Sequence, residues 1–347
     1  MLRFSLAAAL ALPLMAQQWA PIPGAPSTKI YEIHPADAFT GCLGSIAMSS
    51  RATGGGNTTG LWTYCPATKA WTMLSNLAVG SFVVLPNGDI VYSQLVPTAQ
   101  GLTGPSALPI TRLPKGGGAP ATGIYQGDVR RMGADSTGKI YALQSNGAVF
   151  VSIDEVTWTP SNPQTHFTHA NSIGGLGVRP SDGAVIVCDE VEPCELWNGS
   201  AWAGIGSAPN SGNVVFGPDN SAWSADSNNY PEKWDGVGAW NTVVITPAFR
   251  FRMHGAATVG ARLCFSGRDI DTNSGPHVYC SSDNGATWTP FEQGINVVAD
   301  GDNNAMTLAT DGTLYMGTDQ LNGALYAIPN QGGAPPPATA ILTITSP

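Results

Sequence analysis

Side chains able to do chemistry fall into three groupings in this chain of 347 residues. The widest is dispersed and mixed: Asp128, Arg130, His169, Asn171, Asn213, Arg252, His254, Asp302 and Asn303. Carboxylate, guanidinium, amide and imidazole together suit a hydroxyl-rich or anionic ligand, gripped by hydrogen bonds and charge. The second grouping holds acids alone: Asp128, Asp189, Glu292, Asp300 and Asp302. Two of these facing each other would supply the general acid and base that cleave a glycosidic bond. The third, Asp269, Asp271 and Asn273, sets oxygen ligands at alternate positions, as a calcium loop does. Its glycine arrives one place late at Gly275 and no acid completes it, so a turn braced by Asp and Asn side chains is the competing reading. Calcium is thus the one cofactor the sequence offers. His166 and His169 do not make a zinc site, because in an extended loop their rings point to opposite sides and no third ligand follows at a suitable spacing.

Other chemistries are excluded. There is no Ser/His/Asp nucleophile signature, no phosphate-cradling glycine loop and no Cys-x-x-Cys. With 24 acidic against 15 basic residues, a net charge of −9 and no basic cluster, nucleic acid is not an expected partner. Arg3, the apolar run 4–14 and Met15-Ala16 read as a signal peptide over residues 1–16, cleaved after Ala16, which sends the chain to a secreted or periplasmic location. A run of eleven residues is too short to span a bilayer, and no other apolar run is long enough to do so, so no membrane span is expected. Six cysteines in an exported chain imply disulfides.

The elements that must hold these groups are short strands. Gly 42, Pro 27 and only 11% charged residues describe an all-β protein with many turns. Trp71, Trp158, Trp202, Trp240 and Trp288 each open an outer strand, spaced as multiples of about 43 residues if one copy has lost its indole. A second signal runs in phase, a tight turn followed by a strand, at Asn87-Gly88, Thr137-Gly138, Asp182-Gly183 and Asp311-Gly312. Four short strands per period make a propeller blade, and seven are counted: 27–77, 78–127, 128–164, 172–208, 212–246, 250–292 and 303–330. A long first blade and an indole-free second leave six or eight open. Trp19 and the residues after it match those after Trp202, so the N-terminal strand is expected to complete blade 7 and close the ring, hiding a sheet edge. Closure by 341–344 is the alternative. The fold expected is therefore a seven-bladed β-propeller of four-stranded antiparallel blades over 17–330, with 331–347 a Pro/Gly linker or tail. The repeat also selects one cysteine pairing among fifteen: Cys42–Cys65, Cys188–Cys194 and Cys264–Cys280, each joining adjacent strands.

One turn carries a resemblance. Ser281-Ser282-Asp283-Asn284-Gly285-Ala286-Thr287-Trp288 matches S-x-D-x-G-x-T-W and resembles the Asp-box of the BNR-repeat, sialidase-like β-propellers. Asp235–Trp240, Ser152–Trp158 and Asn198–Trp202 are decayed copies. The resemblance implies an Asp-box propeller, and since no Arg-Ile-Pro precedes the boxes, one outside the sialidases. Propellers of this group include glycan binders, glycoside hydrolases and assembly factors.

Asp-box turns and Asp-Gly turns lie on one face of such a ring and are uniform. The opposite face carries the long, irregular connections, and irregular loops on a rigid frame are where function concentrates. The nine mixed residues fall on that face, where innermost strands begin. The first expectation is a monomer that binds a glycan or cell-surface polymer there. A glycoside hydrolase or polysaccharide lyase with carboxylates at the axial mouth is the second, and a protein-interaction scaffold the third. The repeat tryptophans, with Trp62, Trp197, Trp223 and Trp234, are expected in the core rather than as sugar platforms.

Overall fold

The computed structural model of the chain describes residues 18–26, 29–51, 59–94, 109–126, 129–167, 173–179, 181–189, 192–206, 214–225, 230–299, 301, 303–318 and 325–329. Segments 1–16 and 331–347, read above as signal peptide and tail, lie outside them. Each blade is an antiparallel meander, and the seven span 29–75, 79–126, 129–160, 173–204, 215–242, 251–290 and 303–328. Blade 6 carries an additional short strand, Val298–Ala299, paired with its third. No helix among the described residues is long and apolar enough to cross a membrane.

The ring closes as the Trp19 match requires. Ala20–Pro21 pairs antiparallel with Leu325–Ile328 as the fourth strand of blade 7. Trp19 is 3% exposed; its indole N–H donates to the Phe291 carbonyl at 2.8 Å and its backbone N–H to Gln293 at 2.9 Å. The alternation within each strand buries one face against each neighbouring blade, so the core divides into seven apolar clusters, one per blade interface. Each repeat indole sits at the interface with the preceding blade. Trp71 serves blades 7 and 1, Trp158 blades 2 and 3, Trp202 blades 3 and 4, Trp240 blades 4 and 5, and Trp288 blades 5 and 6. Trp19 takes the same place between blades 6 and 7, and the interface of blades 1 and 2 has no indole. Trp158, Trp202, Trp223, Trp234 and Trp240 are buried, whereas Trp62, Trp71, Trp197 and Trp288 are half-buried at the rim of their clusters.

All three disulfides join the expected partners. Cys264 and Cys280 face each other directly across two strands of blade 6.

The intact octet is braced as its residue types dictate. Asp283 accepts the Thr287 backbone N–H at 2.8 Å and hydroxyl at 2.6 Å, Gly285 N–H donates to the Ser281 hydroxyl at 2.7 Å, and Trp288 stacks on Phe265. Gly285 is obligatory twice over. Its φ is +88°, and a Cβ there would lie 2.3 Å from the Trp223 ring of the preceding blade. Asp154 in the decayed copy of blade 3 accepts the Val156 and Thr157 N–H groups, and Asn198 in blade 4 those of Ser200 and Ala201, so the bracing recurs where the spelling has decayed.

The hydroxyl and then the backbone N–H of Thr287 hold the Asp283 carboxyl down to about 2. A depressed folded value means the turn's contribution is complete above the unfolded value near 4 and disappears as pH falls toward 2. Asp283→Asn is therefore expected to unfold at lower denaturant than the parent at neutral pH, and the gap should narrow between about pH 4 and 2. Urea midpoints measured across that range check it; a gap independent of pH would contradict the carboxylate's role.

Candidate functional site: the axial mouth

The innermost strand of each blade runs along the ring axis, starting at the irregular face. In six of the seven blades its pairing with the second strand slips within the first few residues. Such a bulge inserts one residue and turns its side chain out of the alternation. The inserted residues include Tyr31 in blade 1, Arg130 in blade 3, Gly174 in blade 4 and His254 in blade 6. Blade 5, with only Val215–Phe216 as inner strand, shows no slip. The slips recur near the start of the inner strand, and of the inserted residues named, Tyr31 lines the cavity at the axial mouth.

Beneath that opening lies a cavity of about 260 Å³, lined among others by Tyr31, Glu32, His34, Arg131, Met132 and Thr307. Glu32 accepts the Ser81 hydroxyl at 2.7 Å and the Phe82 N–H at 2.9 Å, and faces the Arg131 guanidinium at 3.9 Å. The Ser81 oxygen in turn accepts the Met132 N–H at 3.0 Å. One carboxylate thus ties blades 1, 2 and 3 together at the axis. His34 sits edge-on to Phe82, and burial lowers its pKa, outweighing the nearby Glu32, so the ring is neutral at physiological pH. Tyr31, Glu32, His34 and Arg131 were not singled out in the sequence. The polar-apolar alternation of Tyr31-Glu32-Ile33-His34 was the available signal, since a strand whose polar residues alternate with buried ones must face water somewhere.

Of the nine residues named from the sequence, Arg130, Arg252, His254 and Asn303 lie on inner strands at the irregular end, Asn303 pairing in register with Thr318. Asp128, His169, Asn171, Asn213 and Asp302 lie outside the described residues. Arg130 is exposed, Arg252 half-buried and directly opposite Arg268 in the next strand. His254 is held neutral, its pKa lowered to about 3 by burial first and by Arg252 and Arg268 after it.

The acids considered for hydrolysis are dispersed. Asp189 is buried and accepts the Glu192 N–H, while Glu292 is 3.0 Å from the His277 ring at the edge of blade 6; Asp300, like Asp128 and Asp302, lies outside the described residues. The Asp269, Asp271 and Asn273 set forms the turn between the second and third strands of blade 6. Asp269 accepts the N–H groups of Asp271 and Thr272, Asp271 accepts the Arg250 N–H at 2.9 Å and its side-chain Nε–H at 2.6 Å, and Asn273 takes a positive φ of 53°. Among the described residues no three His, Cys, Asp or Glu side chains converge as metal ligands. His166 accompanies Glu195, at 2.8 Å, and His169 is outside the described residues.

No protein-family model matches the chain, and no curated protein matches its sequence. Solved structures do resemble it in fold. YCF48 from Cyanidioschyzon merolae aligns over 91% of this chain and 100% of its own, at 11% identity and a TM-score of 0.63. The GH74 xyloglucanase from Xanthomonas campestris aligns over 92% of this chain at 14% identity and a TM-score of 0.66, this chain spanning 55% of that enzyme. The extracellular domain of BT4673 from B. thetaiotaomicron aligns over 89% of this chain and 39% of its own, at 13% identity and a TM-score of 0.61. Likeness at such identities establishes a common β-propeller and nothing finer.

Proposed function

We propose that this propeller is an exported binding protein that holds a glycan or cell-surface polymer across the axial mouth of its irregular face. The observation carrying this reading is the state of Glu32. It is the one carboxylate lining the axial cavity among the described residues, and it is committed to Ser81, the Phe82 N–H and Arg131. Hydrolysis of a glycoside needs two carboxyls, roughly 5–10 Å apart and free to act. Among the described residues, what remains around the opening is a phenol, guanidiniums, an imidazole and a hydroxyl, groups that grip hydroxyl-rich ligands. Three disulfides fit an oxidising compartment.

The test is a glycan array probed with the mature chain, run beside reducing-end assays on the same oligosaccharides. Retention without turnover is expected, and Tyr31→Ala together with Arg131→Ala should weaken it about tenfold or more, the scale of one lost charge-assisted hydrogen bond. Release of reducing ends by the parent chain would replace this reading with the hydrolase one, which the GH74 likeness keeps in view. A YCF48 structure carries a bound D1 peptide, and that favours the second reading, a protein-interaction scaffold; an array without hits would turn the argument that way.

A further inference from the structure

Asparagine followed by glycine occurs at Asn87, Asn146, Asn198, Asn284 and Asn322. Such a pair can lose its side-chain amide without an enzyme, because a glycine has no side chain to keep its backbone nitrogen from attacking the preceding Cγ. Asn322 lies outside the described residues, and the other four pairs differ in what holds the attacking nitrogen. The Gly88 N–H donates to the Leu85 carbonyl at 2.9 Å, Gly147 to the Gln144 carbonyl at 3.0 Å, and Gly285 to the Ser281 hydroxyl at 2.7 Å. Gly88 and Gly147 are buried and Gly285 is half-buried. Gly199 is exposed, a Cβ there would meet nothing within 4 Å, and no acceptor among the described residues holds its N–H.

The carbon under attack differs as well. Asn198 Oδ1 accepts the Ser200 N–H, the Ser200 hydroxyl and the Ala201 N–H, each at 3.0 Å. As nitrogen adds to Cγ, negative charge gathers on that oxygen, and donors already aimed at it stabilise the tetrahedral intermediate as an oxyanion hole does. Asn146 Oδ1 accepts only the Ala148 N–H, and Asn87 Oδ1 only the Asp89 N–H. The nitrogen that would leave Asn87 is also held, by Glu155 at 2.6 Å, whereas Asn198 Nδ2 has no partner among the described residues. The cause is the decayed Asp-box of blade 4. Its turn keeps the donors that brace Asp283 in blade 6 but presents them to an amide.

We propose that Asn198 is a self-modification site, converted in the folded protein to aspartate and isoaspartate through a succinimide closed with Gly199. The Gly199 nitrogen gives its proton to water and bonds Cγ; the Cγ–Nδ2 bond breaks, and Nδ2 departs with a proton from water as ammonia. Water then opens the ring, at Cγ to leave isoaspartate's counterpart, aspartate, or at the main-chain carbonyl to leave isoaspartate. One water is consumed, one ammonia is released, and nothing is oxidised or reduced. Aspartate offers the same donors a carboxylate, as Asp154 does in blade 3. Isoaspartate carries the backbone through Cβ and Cγ, which lengthens the turn just ahead of Trp202. Either product adds a negative charge to the uniform face, so the site is independent of the polymer proposed for the opposite one.

The test uses the mature chain from a host that does not N-glycosylate, because Asn198-Gly199-Ser200 is also a glycosylation sequon. It is kept in mildly alkaline buffer made with heavy-oxygen water, then digested and mapped by mass spectrometry. In the folded protein residue 198 should take up label about tenfold or more faster than residues 87, 146 and 284, whereas in urea the four should react at comparable rates. Hydroxylamine added to the folded protein should trap the succinimide at 198. Ser200→Ala removes one donor to Oδ1 and should slow labelling about two- to tenfold in the folded protein, with little change in urea. Circular dichroism confirms that this variant is folded. Equal protection of all four sites by folding, labelling of 198 confined to urea, or a Ser200→Ala effect of the same size in both states would overturn the proposal. Labelling without a trapped succinimide would overturn it too, in favour of direct hydrolysis.

Discussion

Trp19→Ala is expected to destabilise the ring by about 3–5 kcal/mol, the range for truncating a buried indole. The residue is 3% exposed, joins the cluster between blades 6 and 7, and meets Phe291 edge-on. Its loss leaves a cavity among Val278, Met316 and Tyr326 and removes the indole N–H bond to Phe291. It also loosens Ala20–Pro21 and the Ile22 N–H, which cover the edge of Leu325–Ile328, so blade 7 would present unpaired backbone groups to other chains. Guanidinium unfolding should show the drop, and light scattering should show self-association that the parent lacks. Trp288→Ala is the control. That indole is also at an interface but half-buried, so its truncation should cost less and leave the ring closed. Equal effects of the two would mean that Trp19 acts as one more core residue and not as the clasp.

Arg112→Ala should be nearly as damaging, by about 3 kcal/mol. This is the low end for breaking a buried pair, because the guanidinium is 34% exposed. Arg112 bonds Asp89 in its own blade and contacts Glu155 of blade 3 at 2.6 Å, while Asn87 donates to the other Glu155 oxygen at 2.6 Å. Asp89 also accepts the Lys115 N–H at 2.7 Å. Burial pushes the Asp89 carboxyl up, but the Lys115 N–H and Arg112 together bring it below its usual value. Burial, and then the proximity of Asp89, push Glu155 up. The signs are opposite. Asp89 contributes stability above its unfolded pKa and loses it in acid; Glu155 takes stability away as pH rises through its raised value. Without Arg112 both carboxyls shift upward, so the deficit should be greatest at neutral pH and shrink as pH falls through the carboxylate range to below about 4, where Asp89 of the parent also protonates. Arg112→Ala/Glu155→Gln should recover part of it, since one of the two stranded charges is gone. Urea midpoints of the three proteins at both pH values decide the matter, and a deficit that does not change with pH would show that packing of the arginine stem dominates.

Blade number, ring closure and disulfide pairing were legible without coordinates because each is local or periodic. An indole at the head of an outer strand, an Asp or Asn two to four residues from the N–H groups it braces, and cysteines one hairpin apart all leave a pattern in the chain itself. The match of Trp19 to Trp202 was enough to predict the clasp, because the two indoles meet the same demand, each donating to a carbonyl of the preceding blade. The location of Arg130, Arg252 and His254 at the irregular end of inner strands followed from the same periodicity.

What faces what at the axis was decided only by the fold. A single inserted residue reverses the alternation of a strand, and nothing in the spelling of Ile30-Tyr31-Glu32 or Met253-His254-Gly255 announces that the register slips there. The slip and the rotation of one blade on the next bring Glu32 to Ser81 and Arg131. Strand register likewise sets Arg252 against Arg268, and blade packing brings Arg112 to Glu155. Periodicity records which side of a strand is buried, because burial is a property of one residue and its strand. The meeting of charges from different strands depends on several registers at once, and that information exists only when the ring is closed.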